Sequence, residues 1–357
     1  MHTILRPVSA CAALLGFLLA SLASGQQQPS IQWLDNAAAM AGHLRLQHSL
    51  FVTGGMSATR DGGTATLAFT VLRPDLSIMA RLDPATPAGC SILRPHDIAF
   101  DGKDKVAISF SCWDSNGKAT DKVAFFGLPS GTLLRLQTTS PTECLSLDFA
   151  QNGDLLCAGA DLPKVNLKDR SYALLYRYDQ NGVLVSESIR RDTVAMIEPI
   201  ELWTSSGDPR VLSWGGTHIV LWYPRPAIMI VADASGKEIW RQQIPATGPD
   251  ATYSIALSPD QQICAFVPNP TLKSNGPPRY QMACLADDVG NAVRPSSISP
   301  DRQIQASWKI RTEWQHIHRA GRSTKLIGFM GESPLLWNRT DSQILTLPTE
   351  TAAASAR

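Results

Sequence analysis

Two groups of residues in this sequence have types and spacing that could do chemistry. His96, Asp97, Glu143, Glu198, Glu201 and Tyr253 lie within or just before short apolar runs. Carboxylates brought face to face at one mouth of a fold can share acid and base roles. The second group is Trp308, Arg311, Trp314, His316 and His318, in the densest stretch of the chain, WKIRTEWQHIHRAGRS. Its tryptophans offer flat apolar surface, Arg311, Arg319 and Arg322 can fork onto carboxylates, and the imidazoles add donors, a set suited to an anionic or sugar partner. Trp314, His316 and His318 alternate and would share one face of a strand. Two imidazoles at that spacing hold a transition metal only when a third ligand arrives from elsewhere, so surface histidines are the preferred reading and no metal is expected.

Other candidates reduce to structure. Asp114-Ser115-Asn116-Gly117 with Asp121 has calcium-like oxygen ligands but no downstream bidentate Glu, which favours an Asx turn. Trp203, Trp214, Trp222 and Tyr223 are read mostly as core. The sequence contains no Gly-x-Ser-x-Gly elbow, His-Glu-x-x-His helix, P-loop or dinucleotide fingerprint, and no catalytic residue is assigned.

The elements that must position these residues repeat along the chain. VADASGKEI from Val231 reads as strand, tight turn, strand, and its frame recurs as FGLPSGTLL, RYDQNGVLV, LADDVGNAV and, more weakly, LWNRTDSQI. The corner residues Gly131, Gly182, Gly236, Gly290 and Asp341 are spaced by 51, 54, 54 and 51. A second series, Gly102, Gly153, Gly207 and Gln261, precedes the first by a constant 29 residues. Each unit is therefore strand, turn, strand, longer loop, strand, turn, strand, with runs such as Val106 to Phe110 and Ile263 to Val267 apolar enough to pack on both faces. Four short antiparallel strands per roughly 50 residues make a propeller blade.

The expectation is an all-β β-propeller of six blades of four antiparallel strands, or seven if the region before residue 90 hides a divergent blade. The strands preceding the first turns would line a central channel and carry His96, Asp97, Glu143, Glu198, Glu201 and Tyr253 to one rim. In the last unit the turn-to-turn interval is 39 residues where the others have 29. About ten residues are thus inserted within Trp308 to Ser323, and an exposed loop or protruding hairpin is expected there.

Residues 1–25 carry one cation, Arg6, an apolar run from Ala10 to Ala20 and small residues at Ala23 and Gly25, the pattern of a secretory signal. The expected organisation is this signal, a partly disordered segment over 26–44, the propeller over 45–348 and a disordered tail over 349–357. Without the signal the chain has 31 basic and 31 acidic side chains, a balance that argues against nucleic acid. No apolar run is long enough to span a bilayer. Six cysteines remain, and the midpoints of Cys90 and Cys112, Cys144 and Cys157, and Cys264 and Cys284 each fall at or beside a turn signal. Residues equidistant from a hairpin turn face each other within disulfide reach, so three local disulfides are expected.

The frame VADASGKEIW, ending at Trp240, resembles the repeat of quinoprotein-like propellers, and the LSPDQQ and ISPDRQ turns resemble those of WD-repeat and related six-bladed propellers. The resemblance covers roughly residues 94 to 345 and implies architecture rather than activity. The tryptophan occurs in one copy alone, and no quinone or other cofactor is expected. The leading functional expectation is a secreted or periplasmic monomer that binds a protein, peptide or glycan without catalysis. Two other classes remain: a hydrolase or lyase acting on a sugar or lactone through rim carboxylates, and a quinone- or metal-dependent oxidoreductase.

Overall fold

The computed structural model describes residues 30–32, 43–57, 66–84, 86–194, 209–224, 227–243, 254–268, 280–285, 308–314, 324–338 and 343–346. These form six four-stranded antiparallel sheets and one short helix, α1 (Leu162–Asn166). A first strand, β1 (Ser30–Gln32), is set apart from its neighbours in sequence. The first sheet is β2 (His43–Gln47), β3 (Leu50–Ser57), β4 (Thr66–Leu72) and β5 (Ile78–Leu82). The second is β6 (Ile92–Phe100), β7 (Lys105–Trp113), β8 (Ala119–Gly127) and β9 (Thr132–Thr138). The third is β10 (Thr142–Phe149), β11 (Leu155–Asp161), β12 (Ala173–Tyr178) and β13 (Leu184–Arg190). The fourth is β14 (Arg210–Trp214), β15 (His218–Pro224), β16 (Ala227–Asp233) and β17 (Glu238–Gln243). The fifth is β18 (Ser254–Leu257), β19 (Ile263–Pro268), β20 (Tyr280–Leu285) and β21 (Trp308–Trp314). The sixth is β22 (Thr324–Met330), β23 (Ser333–Asn338) and β24 (Gln343–Thr346), completed by β1, which pairs with β24.

The sheets are arranged as a β-propeller. Each first strand touches the next, β2 to β6, β10, β14, β18 and β22, and β22 returns to β2. Apolar clusters sit between neighbouring sheets all the way round, from Leu67, Phe69 and Phe110 between the first and second to Phe51, Leu335 and Trp337 between the sixth and first. A sheet covered on both faces by its neighbours needs continuous apolar runs, while an outer strand faces water. Accordingly β10 is buried at every position and β9 is largely exposed.

In the second and third sheets both series of turns fall where the spacing puts them. In the fourth sheet the first-to-second turn is Gly215–Thr217 rather than Gly207, which precedes β14 in sequence, and in the sixth sheet it is Gly331–Glu332, with Asp341 between the second and third strands, β23 and β24. Gly102 and Gly153 join first to second strands, Gly131, Gly182 and Gly236 join third to fourth, and all five have positive φ. Gln261 holds the same conformation at φ 62°. Gly290, Asp341 and Gly207 lie outside the described residues. Each third-to-fourth corner also packs on the outer strand of the preceding sheet. A Cβ on Gly131 would overlap the Arg81 carbonyl oxygen, one on Gly182 the end of the Gln137 side chain, and one on Gly236 the Ser188 hydroxyl. Backbone cannot step aside as a side chain can. Gly131→Ala is therefore expected to cost more than Gly182→Ala, about 2–3 kcal/mol against about 1 kcal/mol, as read from denaturant midpoints. Equal costs would show that the packing against Arg81 does not contribute.

All three expected disulfides are present, with Cα separations of 5.3 Å for Cys90–Cys112, 5.4 Å for Cys144–Cys157 and 4.0 Å for Cys264–Cys284. Only Cys264 and Cys284 are directly opposite in register. Cys144 faces Gly159 and Cys157 faces Leu147, so this pair bridges β10 and β11 diagonally. The Cys264→Ser/Cys284→Ser double variant is expected to lose about 3 kcal/mol, the loop-entropy value for a span of 20 residues. Chemical denaturation measures it, and an unchanged midpoint would contradict the expectation.

Two features differ from the sequence reading. Of the stretch Trp308 to Ser323, in which an inserted loop or hairpin is expected, Trp308–Trp314 is a strand, β21, with Trp308 opposite Leu285 and Trp314 opposite Tyr280, and residues 315–323 lie outside the described residues. The 39-residue interval is counted from the ISPDRQ stretch, which precedes β21 in sequence, whereas the first-to-second turn of the sixth sheet is Gly331–Glu332, between β22 and β23. The first unit begins at His43, with a strand, β2, that carried no turn signature.

Candidate functional site

The axis of the ring is held by charge. Asp97 on β6 is 6% exposed. Its Oδ2 accepts from Arg45 Nη1 at 3.0 Å, Ser146 Oγ at 2.8 Å and the Leu147 amide at 2.9 Å, and its Oδ1 from Arg210 Nη1 at 2.8 Å. Arg45 Nη1 also donates to the carbonyls of Ile98 and Leu147, at 2.6 Å each. Burial pushes the Asp97 carboxyl up, but Arg210 and Arg45 outweigh it and hold it below the ordinary range. Asp97 thus ties together the first strands of four sheets. The sequence places Asp97 at the rim, and the structure places it within this buried lock, because a carboxylate at the ring's centre is stable only with its cations.

Toward the beginnings of β6 and β10 lies a second buried polar group. His96 Nε2 is 3.2 Å from Glu143 Oε1 and 2.7 Å from Ser111 Oγ, and the Ser111 hydroxyl donates to Asp121 Oδ1 at 2.6 Å. The side chains of His96 and Glu143 are each 5% exposed. Burial raises the Asp121 carboxyl above its usual range against the hydroxyls of Ser111 and Ser140. The sequence reading places His96 and Glu143 among six residues of one channel rim and groups Asp121 with the Asp114 turn. Asp114 does make that turn, its Oδ1 accepting from the amides of Asn116 and Lys118, whereas Asp121 is turned inward on β8.

At the opposite ends of the first strands opens a cavity of about 790 Å³. One first-to-second turn from each sheet lines it, through Ser49, Asp101, Gln151, Gly215, Pro259 and Gly331. Leu212, Ile255, Leu326 and Phe329 supply apolar wall, and Arg45, Asp148 and Arg210 also line it. Both of its aspartates are committed. Asp101 Oδ1 accepts from the amides of Lys103, Asp104 and Lys105 at 2.8–3.0 Å. Asp148 accepts from Gln47 Nε2 at 2.5 Å and from the amides of Phe149 and Ser213 at 3.0 and 2.7 Å. Burial pushes the Asp148 carboxyl up, and Arg45 only partly opposes this. Among the described residues, none of His96, Asp97 and Glu143 lines this cavity. Its constant element is the first-to-second turn, which contains glycine in four of the six sheets, and the sequence marks Gly102 and Gly153 only as corners.

Glu198, Glu201, Tyr253, His316 and His318 lie outside the described residues. Trp308, Arg311 and Trp314 fall on β21, the outer strand of the fifth sheet. Of the tryptophan-rich unit, Trp222 and Tyr223 are core, and Trp214, partly buried, donates Nε1–H to the Gln261 carbonyl at 2.7 Å. No helix among the described residues is long and apolar enough to cross a membrane.

No protein-family profile matches the chain, and no curated protein matches it in sequence. Among solved structures, a chain of the mitotic checkpoint complex is similar at 10% identity and a TM-score of 0.47, covering 90% of this chain and 94% of that one. The GH43_1 enzyme from Xanthomonas citri complexed with xylotriose is similar at 14% identity and a TM-score of 0.43, covering 76% and 97%. The WD40 beta propeller domain of Doa1 is similar at 8% identity and a TM-score of 0.43, covering 92% and 98%. Identities this low say nothing about activity.

Proposed function

We propose that the chain is an exported six-bladed propeller that binds an extracytoplasmic protein, peptide or glycan at the channel-mouth cavity, as a monomer and without catalysis. The observation that carries this reading is the commitment of the cavity's carboxylates. Acid/base chemistry needs a carboxyl free to exchange a proton with a substrate, and among the described lining Asp101 Oδ1 is held by three main-chain amides and Asp148 by the Gln47 side chain and two amides. What remains is a concave wall of turns, amides and leucines, which suits recognition. Export is supported by the leader-like first 25 residues and by three disulfides, which persist in oxidising compartments.

Glycan and peptide arrays probed with the mature protein test this. Gln151→Trp, a change at an exposed cavity-lining turn, is expected to weaken any hit at least ~10-fold with the melting temperature unchanged. Deleting residues 315–323 in parallel asks whether His316 and His318 add to the contact. Turnover of a glycoside or lactone by the wild-type protein would overturn the non-catalytic reading in favour of a hydrolase or lyase.

A further inference from the structure

We propose that His96, Asp121 and Glu143 bind one divalent transition-metal ion of the zinc class between the second and third sheets. Their ligand atoms all lie within 4.8 Å of one another, and all three residues are buried. The 3.2 Å from His96 Nε2 to Glu143 Oε1 matches the edge of a tetrahedron with metal–ligand bonds of about 2.0–2.1 Å. Ser111 Oγ, between His96 and Asp121, adds a third oxygen and a fourth ligand.

Three strands of two sheets converge to make the group, and the backbone is irregular beside two of its members. β6 shifts register between Pro95 and Asp97, so His96 is itself the extra residue of a bulge, and β10 shifts between Cys144 and Ser146, just after Glu143. Bulges re-aim side chains and gather at functional sites. The Cys144–Cys157 disulfide fixes β10 next to Glu143.

Charge points the same way. Asp121 is 3% exposed, and the partners its carboxylate has are the hydroxyls of Ser111 and Ser140. Among the described residues no Lys or Arg forms an ion pair with it. Buried carboxylates are ordinarily paired with a cation or bound to a metal. One imidazole with two carboxylates and a hydroxyl is too few oxygens for calcium, which takes six to eight, and suits zinc. The group lies toward the beginnings of the first strands, away from the cavity at their ends, so it stands independently of the binding reading.

The test is zinc titration of untagged, chelator-stripped mature protein by calorimetry, with bound metal counted by elemental analysis. One equivalent is expected. Asp121→Asn and Glu143→Gln, which keep side-chain shape, should each weaken zinc at least ~10-fold with the circular-dichroism spectrum retained. The His316→Ala/His318→Ala variant should bind as the wild type does. Folded wild-type protein that takes up no zinc would overturn the proposal, as would binding that disappears with His316 and His318 but survives both cluster variants. Should the cluster variants fail to fold, the melting temperature of the wild type with zinc against chelator decides: a rise supports the site and no change overturns it.

Discussion

Arg45→Ala is expected to destabilise the protein by about 3–5 kcal/mol, the range for removing one partner of a buried ion pair. Arg45 is 8% exposed, and its guanidinium serves Asp97 and the carbonyls of Ile98 and Leu147, with Asp148 at 3.9 Å. Its loss leaves a buried carboxylate short of charge and two carbonyls short of donors, at the point where four first strands meet. Denaturant unfolding measures the loss, and a change below about 1 kcal/mol would mean that water or Arg210 compensates fully. Combining Arg45→Met with Asp97→Asn should cost less than the sum of the single changes, because the second removes the charge that the first strands. Asp148 gives the same region a pH dependence. Burial raises its folded carboxyl above the unfolded value, so its contribution to stability is full below the unfolded value and is lost as pH rises through the folded one. The stability of the wild type relative to Asp148→Asn should therefore grow as pH falls from neutral toward 4, as read from unfolding midpoints across that range.

Trp222→Ala is the second large effect, expected at about 3–5 kcal/mol. Trp222 is 1% exposed and belongs to the cluster between the fourth and fifth sheets with Val231, Trp240, Ile263 and Leu285. Neighbouring sheets on either side restrict collapse, so the cavity left behind stays open. Trp214→Phe, in the same unit, removes one hydrogen bond to the Gln261 carbonyl and leaves the ring's packing, and about 1 kcal/mol is expected. If the two variants melt together, Trp222 is not the anchor its burial implies.

The sequence alone determined what local physics controls. A corner that needs positive φ selects Gly in almost any context, so Gly102, Gly153, Gly131, Gly182 and Gly236 marked the hairpins and their spacing marked the sheets. The disulfides were legible for a related reason: each pair closes one hairpin or its flank, and a turn midpoint predicts proximity even where, as for Cys144 and Cys157, the two residues are not opposite in register. The ring's centre was not legible. Arg45 reaches Asp97 across 52 residues and Leu147 across 102, and Arg210 reaches Asp97 across 113. These partners all lie on first strands, one from each of four sheets, so the repeat brings their positions near the axis but does not say which side chains meet there. The one hint was compositional: β10, TECLSLDF, places Glu143, Ser146 and Asp148 among apolar neighbours, and polar residues in a strand buried on both faces must find partners. Which partners, and that Asp121 turns inward to His96 while Asp114 makes the turn, was decided by closure of the ring. Closure brings strands distant in sequence within a few ångströms and excludes the water that would otherwise satisfy them.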